Sequence, residues 1–192
     1  MSGPAIRTRR WSRVEYERLI ETGVFRPGER LELIGGELLV REPQDSPHAT
    51  AIELASDALR AAFGPGWRVR VQLPIALDDE SEPEPDLAVA PGAARDYRDA
   101  HPSRPALVVE VAEASLSFDR QQKGSLYARA GIADYWIVNL ARRILEVRRH
   151  PVRRPSARYG WQYGAVQMLG PASSVSPLAA PSARVAVADL LP

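Results

Sequence analysis

The chain of 192 residues contains no cysteine, which excludes disulfides and thiolate metal sites. Its three histidines, His48, His101 and His150, are widely spaced and lack a metal-ligand pattern, which argues against a zinc site. No apolar run approaches the roughly 20 residues that cross a bilayer. The basic opening, MSGPAIRTRRW, leads into no apolar stretch and does not read as a signal peptide. A cytoplasmic protein without a membrane partner is therefore expected. A net charge of +1 gives no global pull toward nucleic acid. Lysine is almost missing as well: of 25 basic residues only Lys123 is a lysine, so arginine supplies the other 24.

What is present fits one domain, expected over residues 11–190, preceded by a flexible arm at residues 1–10. Ser12 and Glu15 form a capping-box pattern, predicting a helix to about Thr22 that stops at Gly23. RLELIGGELLVRE, residues 30–42, reads as two strands joined by Gly35-Gly36. Ser46 and Pro47 open a second helix with Ile52, Ala55, Leu59 and Phe63 on one stripe. Residues 67–77 alternate as a half-buried strand, and DLAVA and ALVVEVA read as buried strands, the second covered on both faces. A helix over residues 119–130 ends at Gly131 and leads to the strand DYWIVNL, a further hairpin and a tail rich in proline, alanine and serine. The tail closes on a short strand near residues 183–187. This order predicts an α/β fold with a central mixed sheet flanked by helices, an N-terminal helix and hairpin, and a C-terminal β-hairpin.

Charge is locally uneven. Residues 142–158 hold seven arginines and one acid, and residues 78–86 hold six acids and no base. Each is read first as solvated surface. Glu110 is different, because it interrupts the apolar strand LVVEVA, where an unpaired carboxylate is costly. It is either the partner of an arginine or a metal ligand. Asp86 follows a proline and begins a neighbouring apolar strand. If the two strands pair, their hard oxygens can converge on one magnesium, which takes one or two protein carboxylates and keeps several waters. Lys123 shares a helix face with Leu126, Tyr127 and Ala130, which turns it toward the sheet. Ala112, on the same strand face as Glu110, leaves room for its ammonium. Arginine in that position would be bulkier and locked in its charged state.

PEPDLAVAPG, ALVVEVAEASLSFDRQQKGSLYARAGIADYWIVNL and the upstream ERLELIGGEL with His48 resemble the Uma-two family of bacterial proteins, within the PD-(D/E)XK, restriction-endonuclease-like superfamily. The resemblance runs from about Trp11 to Leu190. It implies a restriction-endonuclease-like core and assigns Asp86 and Glu110 as ligands of Mg2+ (or Mn2+), with the main-chain carbonyl of Val111 as a further ligand. Lys123 completes the site. The superfamily's simplest pattern has its lysine two residues after the glutamate, where this chain has Ala112, and Lys123 on the next helix takes that role. Glu32, His48 and Asp119 also match family positions, as auxiliary residues.

The activity so implied is metal-assisted hydrolysis of phosphodiester bonds in DNA, with a homodimer suited to cutting two strands. Arg142, Arg143, Arg148 and Arg149 are expected to contact the nucleic-acid backbone. Two other readings stay open. One is a non-catalytic nucleic-acid-binding or regulatory protein that keeps the fold. The other is a structural domain in which Glu110 and Lys123 only form a buried ion pair.

Overall fold

Ser12 opens the first helix, α1 (Arg13–Glu21), as its spacing predicts: its hydroxyl accepts from the Glu15 N–H, and the Glu15 carboxylate accepts from the Ser12 N–H. The computed structural model describes residues 8–41 and 43–192. Most of the arm expected at residues 1–10 lies outside them. Its end is pinned, since Arg10 donates to the Gly35 carbonyl at 3.2 Å and the Trp11 N–H to that of Gly36 at 2.9 Å. Gly35 and Gly36 both adopt positive φ, at 57° and 79°, and join β1 (Arg30–Ile34) to β2 (Glu37–Arg41) as an antiparallel hairpin. Tyr16 packs α1 on this hairpin by donating its hydroxyl to Leu31 at 2.7 Å.

The second helix, α2 (Ser46–Phe63), is capped one residue earlier than expected. Asp45, rather than Ser46, accepts the free N–H of His48 at 3.1 Å. Strand β3 (Trp67–Val71) is shorter than the predicted residues 67–77. Gln72 takes a φ of 50°, which turns the chain out of the sheet. Then follow β4 (Leu87–Pro91), β5 (Leu107–Ala112), and α3. The last is a helical turn (Leu116–Phe118), a π-helical segment (Asp119–Lys123) and an α-helical end (Gly124–Arg129). Strands β6 (Asp134–Asn139), β7 (Ile144–Arg153) and β8 (Trp161–Leu169) complete the main sheet, and β9 (Ser174–Val175) pairs with β10 (Val185–Ala186).

The sheet order is β3-β4-β5-β6-β7-β8, antiparallel except for the parallel pair β5 and β6. A parallel pair needs a crossover, and α3 supplies it. Because β5 is covered on both sides, its alternate residues feed two cores. Val109 and Val111 pack toward α2 and the C-terminal segment, and Val108 and Ala112 toward Tyr127 and Ala128 of α3. Glu110 therefore points to the α3 side. No helix among the described residues is long and apolar enough to cross a membrane.

The C-terminal segment is held by one buried carboxylate. Asp134 accepts from Arg149 at 2.8 and 3.1 Å, from the Trp136 indole at 2.8 Å and from the Leu178 N–H at 2.9 Å. Its removal strands three donors at once. Asp134→Ala is expected to lower unfolding free energy by about 3–5 kcal/mol, read from urea denaturation.

Glu82 ties the 78–86 turn to the hairpin through its N–H, which donates to Leu33 at 2.7 Å. Burial first, and Glu17 next, push its carboxyl from 4.5 up to about 7, against the pull of Arg13. Between those values the folded chain keeps a proton that the unfolded chain has released. Stability from this group is thus complete below about pH 4.5 and lost as the pH rises to about 7. Glu82→Gln should raise the urea midpoint at about pH 8 and leave it nearly unchanged at about pH 4, when the two proteins are compared by denaturation at both pH values.

Candidate functional site

Strands β4 and β5 pair with Leu87 opposite Val109 and Ala88 opposite Val108. One step further along this register Asp86 meets Glu110. Each carboxylate touches the backbone of the other's strand: Asp86 Oδ2 accepts from the Val111 N–H at 2.8 Å, and Glu110 Oε2 from the Asp86 N–H at 3.4 Å. The other oxygen of each is fully engaged. Glu110 Oε1 accepts from Lys123 Nζ at 2.9 Å and from the Tyr127 hydroxyl at 2.7 Å. Asp86 Oδ1 accepts from Arg41 at 3.0 Å and from the amides of Gln44 and Gln72, both at 3.3 Å. The positive φ of Gln72 is what brings its amide there.

Glu32, on β1, closes the arrangement. It lies 3.3 Å from Lys123 Nζ and 3.0 Å from Arg41 Nε. His48, in the first turn of α2, places Nε2 3.4 Å from Asp86 Oδ2. Asp119, in the π-helical segment, is buried and accepts from the Ser115 hydroxyl at 2.6 Å. The segment itself is defined by the Gly124 N–H donating to the Asp119 carbonyl. A side chain at position 124 would sit only 3.2 Å from that carbonyl, so glycine lets the turn widen. Asp119 and Lys123 thereby line the same cavity of about 640 Å³ as Asp86, Glu110, Val111 and His48.

The sequence-predicted residues Glu32, His48, Asp86, Glu110, Val111, Asp119 and Lys123 thus come together from five separate segments. The four arginines do not. Arg142 and Arg143 sit in the exposed turn before β7, and Arg143 donates to the terminal Pro192 carbonyl at 2.8 Å. Arg148 and Arg149 are adjacent in β7 and point to opposite faces. Arg149 is taken up by Asp134 and the Ser176 carbonyl on the α2 side, so only Arg148 lies on the face that carries Glu110. Arg41, Gln44, Gln72 and Tyr127 were not read from the sequence as part of the site. Two carried a signal: the Gly-Gly hairpin register sets Arg41 on the face of Glu32, and Tyr127 follows Lys123 by one helical turn.

Among the described lining residues, Glu32, Asp45, Asp86, Glu110, Glu113 and Asp119 face only Arg41 and Lys123 as permanent cations. The protonation equilibria follow this imbalance. Burial pushes the Glu110 carboxyl up; Lys123 opposes it, and Asp86 and Asp119 add to it. Burial likewise raises Asp119 against the pull of Lys123. Burial would raise Asp86 too, but His48, Arg41, Lys123 and the Val111 N–H outweigh it and hold it well below the usual carboxylate range. For Lys123 burial favours the neutral amine, yet Glu110, Glu32 and Asp119 carry it above its ordinary value. The lysine is a fixed cation here, not a proton carrier.

No three His, Asp or Glu side chains among the described residues converge as a complete ligand set. The donors are two carboxylates, each with one oxygen less engaged than the other, and Glu110 Oε2 has a single contact at 3.4 Å. That count and hardness fit magnesium or manganese, which keep several waters, and not zinc.

None of the curated proteins matches the chain. A crystal structure of "a putative nuclease belonging to DUF820 from Anabaena variabilis ATCC 29413" superposes with a TM-score of 0.68, covering 92% of this chain and 95% of that one. The two are 14% identical, so the likeness concerns the fold. The model of the Uma2 family, described as "Putative restriction endonuclease", matches residues 13–188. Spanning nearly all of the described structure, that match means the chain belongs to the Uma2 family and carries its nuclease-like fold.

Proposed function

We propose that the protein is a metal-dependent endonuclease that hydrolyses phosphodiester bonds in DNA. The observation that carries this reading is the pairing of Asp86 and Glu110, each fixed by the other's strand, beside the buried ammonium of Lys123. Asp86, Glu110 and the Val111 carbonyl would hold Mg2+ or Mn2+. When bound, the cation supplies Lewis-acid polarisation of the phosphoryl group and a more acidic water.

The chain's own residues do the rest. Tyr127 and Lys123 bind one oxygen of Glu110 and leave Oε2 turned toward Asp86. Arg41, Gln44 and Gln72 do the same for Asp86 by engaging Oδ1. Lys123, held charged by three carboxylates, offsets negative charge that builds on the phosphoryl oxygens during attack. The surrounding apolar sheet and α3 exclude bulk water from this ammonium, which strengthens its field.

A second reading, a nucleic-acid-binding protein that no longer cuts, is favoured by one observation. Arg41 and Lys123 already form a continuous chain of ion pairs through Asp86, Glu32 and Glu110, so both cations are engaged within the site.

Incubation of the protein with plasmid and single-stranded DNA in magnesium, manganese or EDTA separates the two. The nuclease reading expects cleavage with either metal and none in EDTA, with Lys123→Ala slower by about 100- to 1,000-fold and Asp86→Ala inactive. Binding without cleavage in every metal condition would favour the second reading. Mn2+ affinity, measured by titration calorimetry, should fall at least about tenfold in Glu110→Gln, which removes a ligand charge.

A further inference from the structure

The cavity that holds Asp86 and Glu110 cannot by itself hold a polyanion. Its described lining sets six carboxyl groups against two permanent cations, a poor surface for a run of phosphates. A substrate with a charge at every phosphate must be held elsewhere on the molecule.

A second groove of about 680 Å³ lies on the other side of the π-helical segment. The two share Leu39 and Phe118 as a common rim. Asp119 and Lys123 look into the first, while Arg120, Gln121 and Gln122 look into the second. Across the groove stand Arg148, Arg158 and Trp161. Glu37 is the one acid among its described lining residues, so the sign of charge reverses across a single turn of helix.

Its cations differ in mobility. Arg120 and Arg148 are clamped from below by the fully buried Glu146, at 3.1 and 2.8 Å, which fixes where their remaining N–H groups point. Arg148 Nε is buried and has no hydrogen-bond partner. Arg158 is half-exposed and meets Glu37 at 3.1 Å, a surface pair that a phosphate can displace. Trp161 is half-buried at the groove wall, with the Arg153 guanidinium 5.6 Å over its ring. Arginines interleaved with an aromatic face are the chemistry that tracks a nucleic-acid strand without reading its sequence.

We propose that this groove is the strand-holding subsite. A nucleic-acid strand with its scissile phosphate in the acidic cavity crosses the Phe118 and Leu39 rim, sets its next phosphates on Arg120, Arg148 and Arg158, and stacks a base on Trp161. The proposal rests on the phosphodiester reading of the first cavity and divides the labour: the cavity cuts, the groove binds.

The test is fluorescence anisotropy of a labelled 20-nucleotide single strand, titrated with the full chain in EDTA at several salt concentrations. Arg158→Glu should weaken binding about tenfold and flatten the slope of log K against log salt by about 0.7 or more. Trp161→Ala should weaken binding about tenfold while leaving that slope unchanged, because stacking releases no counterions. Arg60→Glu, an equal charge change on α2 across the sheet, should have no more than the small effect of net charge. All three positions reach the surface, and urea midpoints confirm that the variants fold. Failure of the wild type to bind, or groove variants indistinguishable from Arg60→Glu, overturns the proposal. Cleavage is scored separately with manganese. Groove-dependent binding without cleavage supports the subsite and removes the hydrolytic reading; cleavage with groove-independent binding does the reverse.

Discussion

Two carboxylates in a strand pair that otherwise reads as apolar core set the terms for everything around them. Asp86 and Glu110 would each be costly alone, and side by side they repel. The structure offsets this with a ring of partners drawn from β2, the segment before α2, α2, the turn after β3, β5 and α3. Asp86 gathers Arg41, Gln44, Gln72, His48 and the Val111 N–H, while Glu110 gathers Lys123, Tyr127 and the Asp86 N–H. The N-terminal helix and hairpin, which are peripheral to the main sheet, owe their position to this: Glu32 and Arg41 link them into the ring.

The ring still falls short of neutrality. Burial raises the carboxyls of Glu110 and Asp119 and neighbouring carboxylates add to it, while His48, Arg41 and Lys123 hold Asp86 low. A divalent cation is the natural complement of such a site. The same excess explains why binding of a polyanion would have to be delegated to another surface. The widened turn of α3 separates the two environments, with its acidic and lysine-bearing side inward and its arginine and glutamines on the other.

Much of the fold was legible because strong local signals agreed with the tertiary outcome. The Ser12 capping box, the Gly-Gly hairpin and the apolar run around Glu110 each formed where the sequence placed them. The single lysine was legible from helical spacing, since positions 123, 126 and 127 share the buried face even though the helix widens there. What could not be read were contacts that depend on how separate segments pack. Nothing local to Gln72 signals that a left-handed φ will aim its amide at Asp86. The arginine-rich stretch misled for a related reason. Charge counted along a strand ignores alternation, so Arg148 and Arg149 were grouped although the sheet lies between their side chains.

The central claim is that Asp86 and Glu110 present one oxygen each to a shared divalent ion. A crystal of the protein soaked in manganese, with data collected at the manganese absorption edge, tests this directly. The account predicts one anomalous peak touching both Asp86 Oδ2 and Glu110 Oε2, at about 2.0–2.2 Å from each. An empty position between them at saturating manganese, or a peak that contacts neither carboxylate, would contradict it.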